Sequence, residues 1–200
     1  MRYYSFIFGL GIIGVFFIQL LIPGFTDRFL LTPAAFSQPW RLVTAIFLHG
    51  SAGHLLYNLF ALLLFGFILE RLAGNRNFLL IFFMSGIFAN VFSVFFYSRA
   101  LGASGAIFGV IGALTIIRPM MTVWAFSLPM PLFVASMLWA IGDVLGVFFP
   151  QGTANLAHLA GLGVGLIFGI FLRERRSSNS REKVVLPEDY MKRWEDTYVG

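Results

Sequence analysis

An all-α polytopic membrane protein is the fold class this sequence predicts, and three observations predict it. Hydrophobic residues make up 58% of the 200 and charged residues 12%, with a mean hydropathy of +0.85, so most of the chain has lipid as its solvent. Apolar runs separated by breakers recur six times, at about 5–22, 51–69, 77–98, 104–117, 132–148 and 155–172. The few polar residues inside those runs fall at one depth.

The first run is longer than the apolar segment of a typical signal peptide and lacks a small-residue cleavage site, so it reads as a retained first span. The stretch 23–50 is broken by Pro23-Gly24, Pro33 and Pro39, yet it carries Phe25, Phe29, Leu30, Leu31, Phe36 and Trp40. It is expected to form an outer loop lying partly in the membrane interface. Spans two and three follow around an Arg71/Arg76 loop. Span four is short: about 14 apolar residues separate Ser104 from Arg118 where a crossing needs roughly 20, so its helix should begin about 9 Å below the outer surface. Residues 120–131 are apolar but broken by Pro129 and Pro131, and read as a cytoplasmic connector or an irregular entry to span five.

Span six ends in the mixed-sign tail "RERRSSNSREKVVLPEDYMKRWEDTYVG", which holds half of the basic residues and most of the acidic ones. The chain therefore divides into a six-span domain, 1–172, and a charged cytoplasmic tail, 173–200, that is partly disordered or weakly helical and at most attracted to anionic head groups. The net charge of +5 thus does not point to nucleic acid. An even number of spans puts both termini on one side. Arg2, Arg71, Arg76, Arg118 and "RERR" fall on one face, against Arg28, Arg41 and Arg99 on the other, so the termini are expected to be cytoplasmic. The chain has no cysteine, which excludes disulfides, thiolate metal sites and thiol nucleophiles.

Polar groups within spans are costly, and their positions are informative. His54 and Asn58 lie near the outer end of span two, and Ser104 and His158 near the outer ends of spans four and six. His54 and Asn58 are i and i+4 and share a helix face; His158, Gly161 and Gly165 share another. Span four offers Gly105, Gly109 and Gly112, and span six Gly161, Gly165 and Gly169. Such rows let two helices pack backbone to backbone, the approach a hydrogen bond from Ser104 to His158 requires. A serine hydroxyl becomes a nucleophile when a base takes its proton, and His158 is the histidine expected to reach it. The helix N-terminus at Ser104, after Gly102, supplies N–H groups and a positive dipole end. With the Asn58 amide and His54 as further donors, these would form an oxyanion hole.

At these residues the sequence resembles the rhomboid intramembrane serine proteases. The motifs run in order: "WR" at 40–41, "HGSAGHLLYN" at 49–58, "FGFILE" at 65–70, "GASG" at 102–105 and "NLAHLAGLGVG" at 155–165. A lone GxSG is common in membrane proteins, but the ordered set is specific. The resemblance implies a six-helix rhomboid-like bundle that hydrolyses a peptide bond in or beside the transmembrane segment of a single-span or polytopic membrane protein. It implies a Ser104-His158 dyad working through an acyl-enzyme, without metal or cofactor, with His54, Asn58 and the Ser104 N–H holding the oxyanion. The residue four after the serine is commonly Tyr in the family; here it is Phe108, which keeps a ring to stack on the histidine and loses the hydroxyl. The resemblance further implies that span five and the 149–153 loop move to admit substrate and water; the outer-facing site and small size point to a prokaryotic cytoplasmic membrane.

Other readings weigh less. Ser104 taken alone is more often a packing residue; His158, Asn58 and His54 at matching depth reverse that. His49 is read as a loop residue bracing the site, and Glu70 with Arg71 as a local brace at the cytoplasmic end of span two. Trp40-Arg41 is expected to steady the outer loop. Asp143 tempts one to complete a triad, but a buried acid is equally well paired or protonated for structural reasons, and it is left outside the catalytic set. No histidine is followed by glutamate, as a zinc protease needs, and "AIGD" at 140–143 has no second intramembrane aspartate. A transporter is disfavoured because its three histidines cluster toward one side. A non-catalytic relative that binds membrane clients is the remaining alternative.

Overall fold

The computed structural model describes residues 3–149, 152–180 and 188–198. Residues 1–2, 150–151, 181–187 and 199–200 lie outside the described residues, and with them Arg2 of the orientation argument, the centre of the 149–153 loop and part of the expected tail.

Among the described residues, four helices are long and apolar enough to cross a membrane: α1 (Tyr4–Leu21), a continuous stretch Ala52–Ala73, α6 (Asn75–Ser93), and the first 20 residues of α9 (Asn155–Ser180). The stretch Ala52–Ala73 is α4 (Ala52–Ala61) and α5 (Phe67–Ala73), joined by a π-helical turn at Leu62–Gly66. Two shorter apolar helices, α7 (Ser104–Ile117) and α8 (Leu132–Phe148), occupy the remaining expected runs. At 1.5 Å per residue, α7 is about 21 Å long, short of the roughly 30 Å hydrocarbon core.

The chain folds outward from α7. Its residues are apolar or small on every side, and nine of them are buried: Gly105, Ala106, Ile107, Gly109, Val110, Ile111, Gly112, Ala113 and Leu114. A helix with no polar face has nowhere to sit but inside. Around it pack α6, α9 and the π turn, with α6 presenting Phe78, Ile81, Phe82, Ser85, Ala89 and Ser93 at i, i+3 and i+4 spacing. By contrast α1 buries Ser5, Gly9 and Ile12, and turns most of its surface to lipid.

Glu70 ties α1 to α5. Its buried carboxylate accepts the Tyr4 N–H at 2.6 Å, the Ser5 N–H at 3.1 Å and the Ser5 hydroxyl at 2.5 Å. Helix N-terminal N–H groups have no acceptor inside the helix, and in lipid they find no water. The carboxylate therefore replaces solvent at the start of α1.

The loop between α1 and α4 is packed rather than extended. It contains α2 (Phe25–Phe29), α3 (Arg41–Thr44) and 3-10 turns at Pro33–Phe36 and Ala45–Phe47. Arg41 is buried and donates to Asp27 O, Leu30 O and Gln38 Oε1 at 3.0, 2.7 and 2.6 Å, so one guanidinium gathers three segments. Leu31 and Ala100 exchange two backbone hydrogen bonds at 3.0 Å, and Asn90 of α6 donates to Leu42 O at 2.8 Å. Phe36 and Trp40 remain exposed, as befits aromatic residues at a lipid interface.

Residues 120–131 depart from an all-helical reading. They form a hairpin of β1 (Thr122–Ala125) and β2 (Leu128–Pro131), antiparallel, with Phe126 and Ser127 both at positive φ, 52° and 63°. A two-residue hairpin turn needs that mirror-image geometry to match strand twist. The usual signal, Asn-Gly or Asp-Gly, is missing from the sequence, and Pro129 and Pro131 suggest a loop. Pro is tolerated because β2 is an edge strand.

Candidate active site

α7 begins at Ser104 because the preceding residues bring the chain in sharply. Gly102 has φ of +125°, and its N–H donates to Ala45 O at 2.9 Å. A Cβ there would lie 2.7 Å from His54 Cε1 and 2.8 Å from Nε2. Only glycine permits both the backbone conformation and the His54 ring lying against it.

The α7–α9 contact is built from glycine on both sides. A Cβ added to Gly161 would overlap the Gly105 carbonyl, and one at Gly165 the Gly109 carbonyl. Added at Gly112 it would sit 2.5 Å from Leu162 O, and at Gly169 it would sit 2.9 Å from Ala113 O. Backbones therefore touch along three turns. At the N-terminal end of that seam, His158 Nε2 lies 2.8 Å from Ser104 Oγ. Phe108, one turn below the serine, stacks on the imidazole with centroids 4.4 Å apart and planes within 4°. Tyr97 accepts the Leu156 N–H at 3.1 Å and so pins the first turn of α9; nothing in the sequence pattern marks it.

His54 and Asn58 occupy one side of α4, with Ser51 capping the helix by accepting the His54 N–H at 3.1 Å. Asn58 is buried, and its amide Nδ2 donates to the His54 carbonyl at 2.8 Å. One of its two N–H groups is thus engaged on its own helix, a use the sequence reading does not anticipate.

Asp143 is the residue whose reading changes most. It is the twelfth residue of α8, it is 7% exposed, and its Oδ1 lies 2.9 Å from His158 Nδ1. The signal was available in the expected depth: a fifth span running outward would bring its last third level with His158.

His49 braces the loop through its backbone rather than its ring. The Gln19 amide donates to His49 O at 3.1 Å, and Gln19 Oε1 accepts the His49 N–H at 3.0 Å. The ring is 2% exposed, meets His54 edge-on at 4.9 Å, and has no hydrogen-bond partner on either nitrogen among the described residues. Burial first, and then the His54 ring, lowers its pKa from 6.5 to about 4. The fold therefore holds the neutral ring. Its contribution to stability is complete above pH 6.5 and lost as pH falls toward 4, by up to roughly 3 kcal/mol. The thermal midpoint in detergent is expected to drop across that interval, and His49→Gln to flatten the drop.

Two cavities flank these helices. One of 420 Å³ is lined by Gly142, Leu145, Gly146, Phe149, Thr153 and Asn155, at the C-terminal end of α8 and the start of α9. The other, 690 Å³, lies at the far ends of α5 and α7 beside Arg71 and Arg118, away from Ser104.

The family model described as the Rhomboid domain matches residues 37–175. The chain is similar to RHOMBOID-like protein 6, mitochondrial, of Arabidopsis thaliana, at 31% identity over 148 residues, 73% of this chain and 48% of that protein. It is similar to Rhomboid protease GlpG of Haemophilus influenzae, at 29% identity over 73% of this chain and 76% of that protein. With Rhomboid protease GluP of Bacillus subtilis it shares 47% identity over 76 residues, 38% of this chain and 15% of that protein. Against three Arabidopsis relatives it matches, the chain spans 34% to 48% of their length. Because the family model matches well over half of its length and the described residues include several helices long and apolar enough to cross a membrane, the chain belongs to the rhomboid family and is a multi-pass integral membrane protein.

Proposed function

We propose that this chain is an intramembrane serine endopeptidase that cleaves membrane proteins in or beside a transmembrane segment. The observation that carries the reading is the 2.8 Å approach of Ser104 Oγ to His158 Nε2, supported by relatives named rhomboid proteases. His158 Nε2 takes the Ser104 proton as Oγ attacks the scissile carbonyl carbon. The carbonyl oxygen becomes an oxyanion, held by N–H groups at the start of α7 together with Asn58 and His54. His158 then returns its proton to the leaving amine, the peptide bond breaks, and an acyl-enzyme remains. Water, deprotonated by the same nitrogen, hydrolyses the ester and regenerates Ser104.

In this reading α7 and α8 complete six crossings, the membrane domain ends near residue 172, and residues 173–200 form a tail. Both termini face the cytoplasm of a prokaryotic cell. Water reaches a serine sunk below the outer surface from the outside, and substrate enters from lipid beside α8. Gly105, Gly109, Gly161 and Gly165 act by bringing α7 and α9 together, and Gly102 by admitting His54. Purified protein in liposomes, incubated with a panel of single-span substrates, is expected to cut at least one, and Ser104→Ala and His158→Ala to cut none. Cleavage that persists in both variants would overturn the dyad, and no cleavage by any preparation would favour a client-binding relative.

A further inference from the structure

Two carboxylates are buried among the described residues, Glu70 and Asp143. Glu70 has three donors at the opposite end of its span, whereas Asp143 faces the imidazole that the proposed dyad uses. We propose that Asp143 is a positioning residue that orients His158 for proton transfer, an inference that rests on the protease reading above.

A neutral imidazole carries one N–H, and a base for Ser104 must carry it on Nδ1 so that the Nε2 lone pair faces Oγ. Stacking on Phe108 fixes the plane of the ring. It does not decide which edge faces which way, because a ring turned over within that plane stacks equally well. Only a group that reads the ring's edge makes the choice. Asp143 Oδ1, 2.9 Å from Nδ1, accepts that hydrogen and selects the tautomer. When Ser104 passes its proton to Nε2, the Nδ1 proton stays on the ring, Asp143 stays a carboxylate, and the imidazolium formed lies against a negative charge. The two side chains are 12% and 9% exposed, so little water screens that attraction. The other groups near the imidazole, Ser104 and Phe108 from α7 and His54 from α4, supply no second anion.

The acid comes from a loosely held element. α8 buries Leu132, Ala135 and Ser136 near its start and, in its outer half, Asp143. Thr115 and Ser136 share a hydrogen bond at 2.7 Å near the hairpin end, while Asp143 ties the outer half to α9. His158 is therefore fully oriented only while the outer half of α8 is docked.

The test is Asp143→Asn in the full chain, which keeps the shape and removes the charge. Four quantities are measured: kcat and KM on a single-span substrate, the rate of phosphonate labelling at Ser104, the thermal midpoint, and the proton NMR signal of the His158 Nδ1–H, assigned by its loss in His158→Ala. We expect kcat and labelling rate to fall about 10- to 100-fold, the range of a charge-assisted hydrogen bond, with KM and thermal midpoint unchanged. The Nδ1 proton, strongly deshielded in the unsubstituted chain, should move upfield. Wild-type rates in Asp143→Asn would overturn the proposal, as would activity lost only in proportion to unfolded protein. Should that variant fail to fold, the unsubstituted chain decides: absence of a deshielded Nδ1 proton refutes the assignment. If that chain neither labels nor cleaves, the protease reading itself falls, and this role with it. Equal labelling with and without the carboxylate removes Asp143 alone.

Discussion

Ser104→Ala is expected to reduce kcat by about 10⁴-fold or more, to background, while leaving the fold in place. Oγ contributes one hydrogen bond, to His158 Nε2, so its removal costs about 1 kcal/mol of stability. His158 remains stacked on Phe108 and bonded to Asp143. KM should change little, because the nucleophile adds nothing to substrate docking before bond formation. Steady-state kinetics in liposomes beside a thermal melt in detergent check both halves. An inactive variant that has also unfolded would leave packing, not chemistry, as the role of Ser104.

Gly165→Ala is the second large effect, and it acts through the fold. The new Cβ would overlap the Gly109 carbonyl, and neither that carbonyl nor the α9 backbone can turn aside as a side chain would. The helices must part, at a cost of about 3 kcal/mol or more, and parting them also draws His158 away from Ser104. Gly163, two residues earlier on the same helix, is the control: a Cβ there meets nothing within 4 Å. Gly163→Ala should be neutral or slightly stabilising, since alanine favours helix by up to about 1 kcal/mol. Thermal midpoints and cleavage rates of the two variants should diverge, and equal behaviour would mean that α7 and α9 do not meet as described.

The contrast between Gly163 and Gly165 shows what sequence carries. Spacing at i, i+3 and i+7 from His158 puts 161 and 165 on one face and leaves 163 off it, so the packed face is legible from periodicity alone. Ser104 and His158 are legible together for a similar reason: alternating span direction is expected to set both at the same side of the membrane, on helices that small residues let approach. Asp143 is ambiguous at the same level, because depth places it near His158 but the rotation of α8 about its axis decides whether it points inward. The small residues of α8 do not settle that angle, since Ser136/Ala140 and Gly142/Gly146 mark different faces of the helix. The hairpin at Thr122–Pro131 is illegible for another reason, since a turn at Phe126-Ser127 uses residues that seldom adopt positive φ. Tyr97 and Gln19 act on backbone groups far along the chain, and no periodicity records such partners.

The most direct measurement is reaction of the purified chain with a fluorescent phosphonate, followed by mass spectrometry of the labelled peptide. A phosphonate reports an activated serine without requiring the natural substrate. One adduct is expected, on Ser104, absent from Ser104→Ala and strongly reduced in His158→Ala. A folded chain that forms no adduct, or one whose label persists in Ser104→Ala, would contradict the serine protease reading.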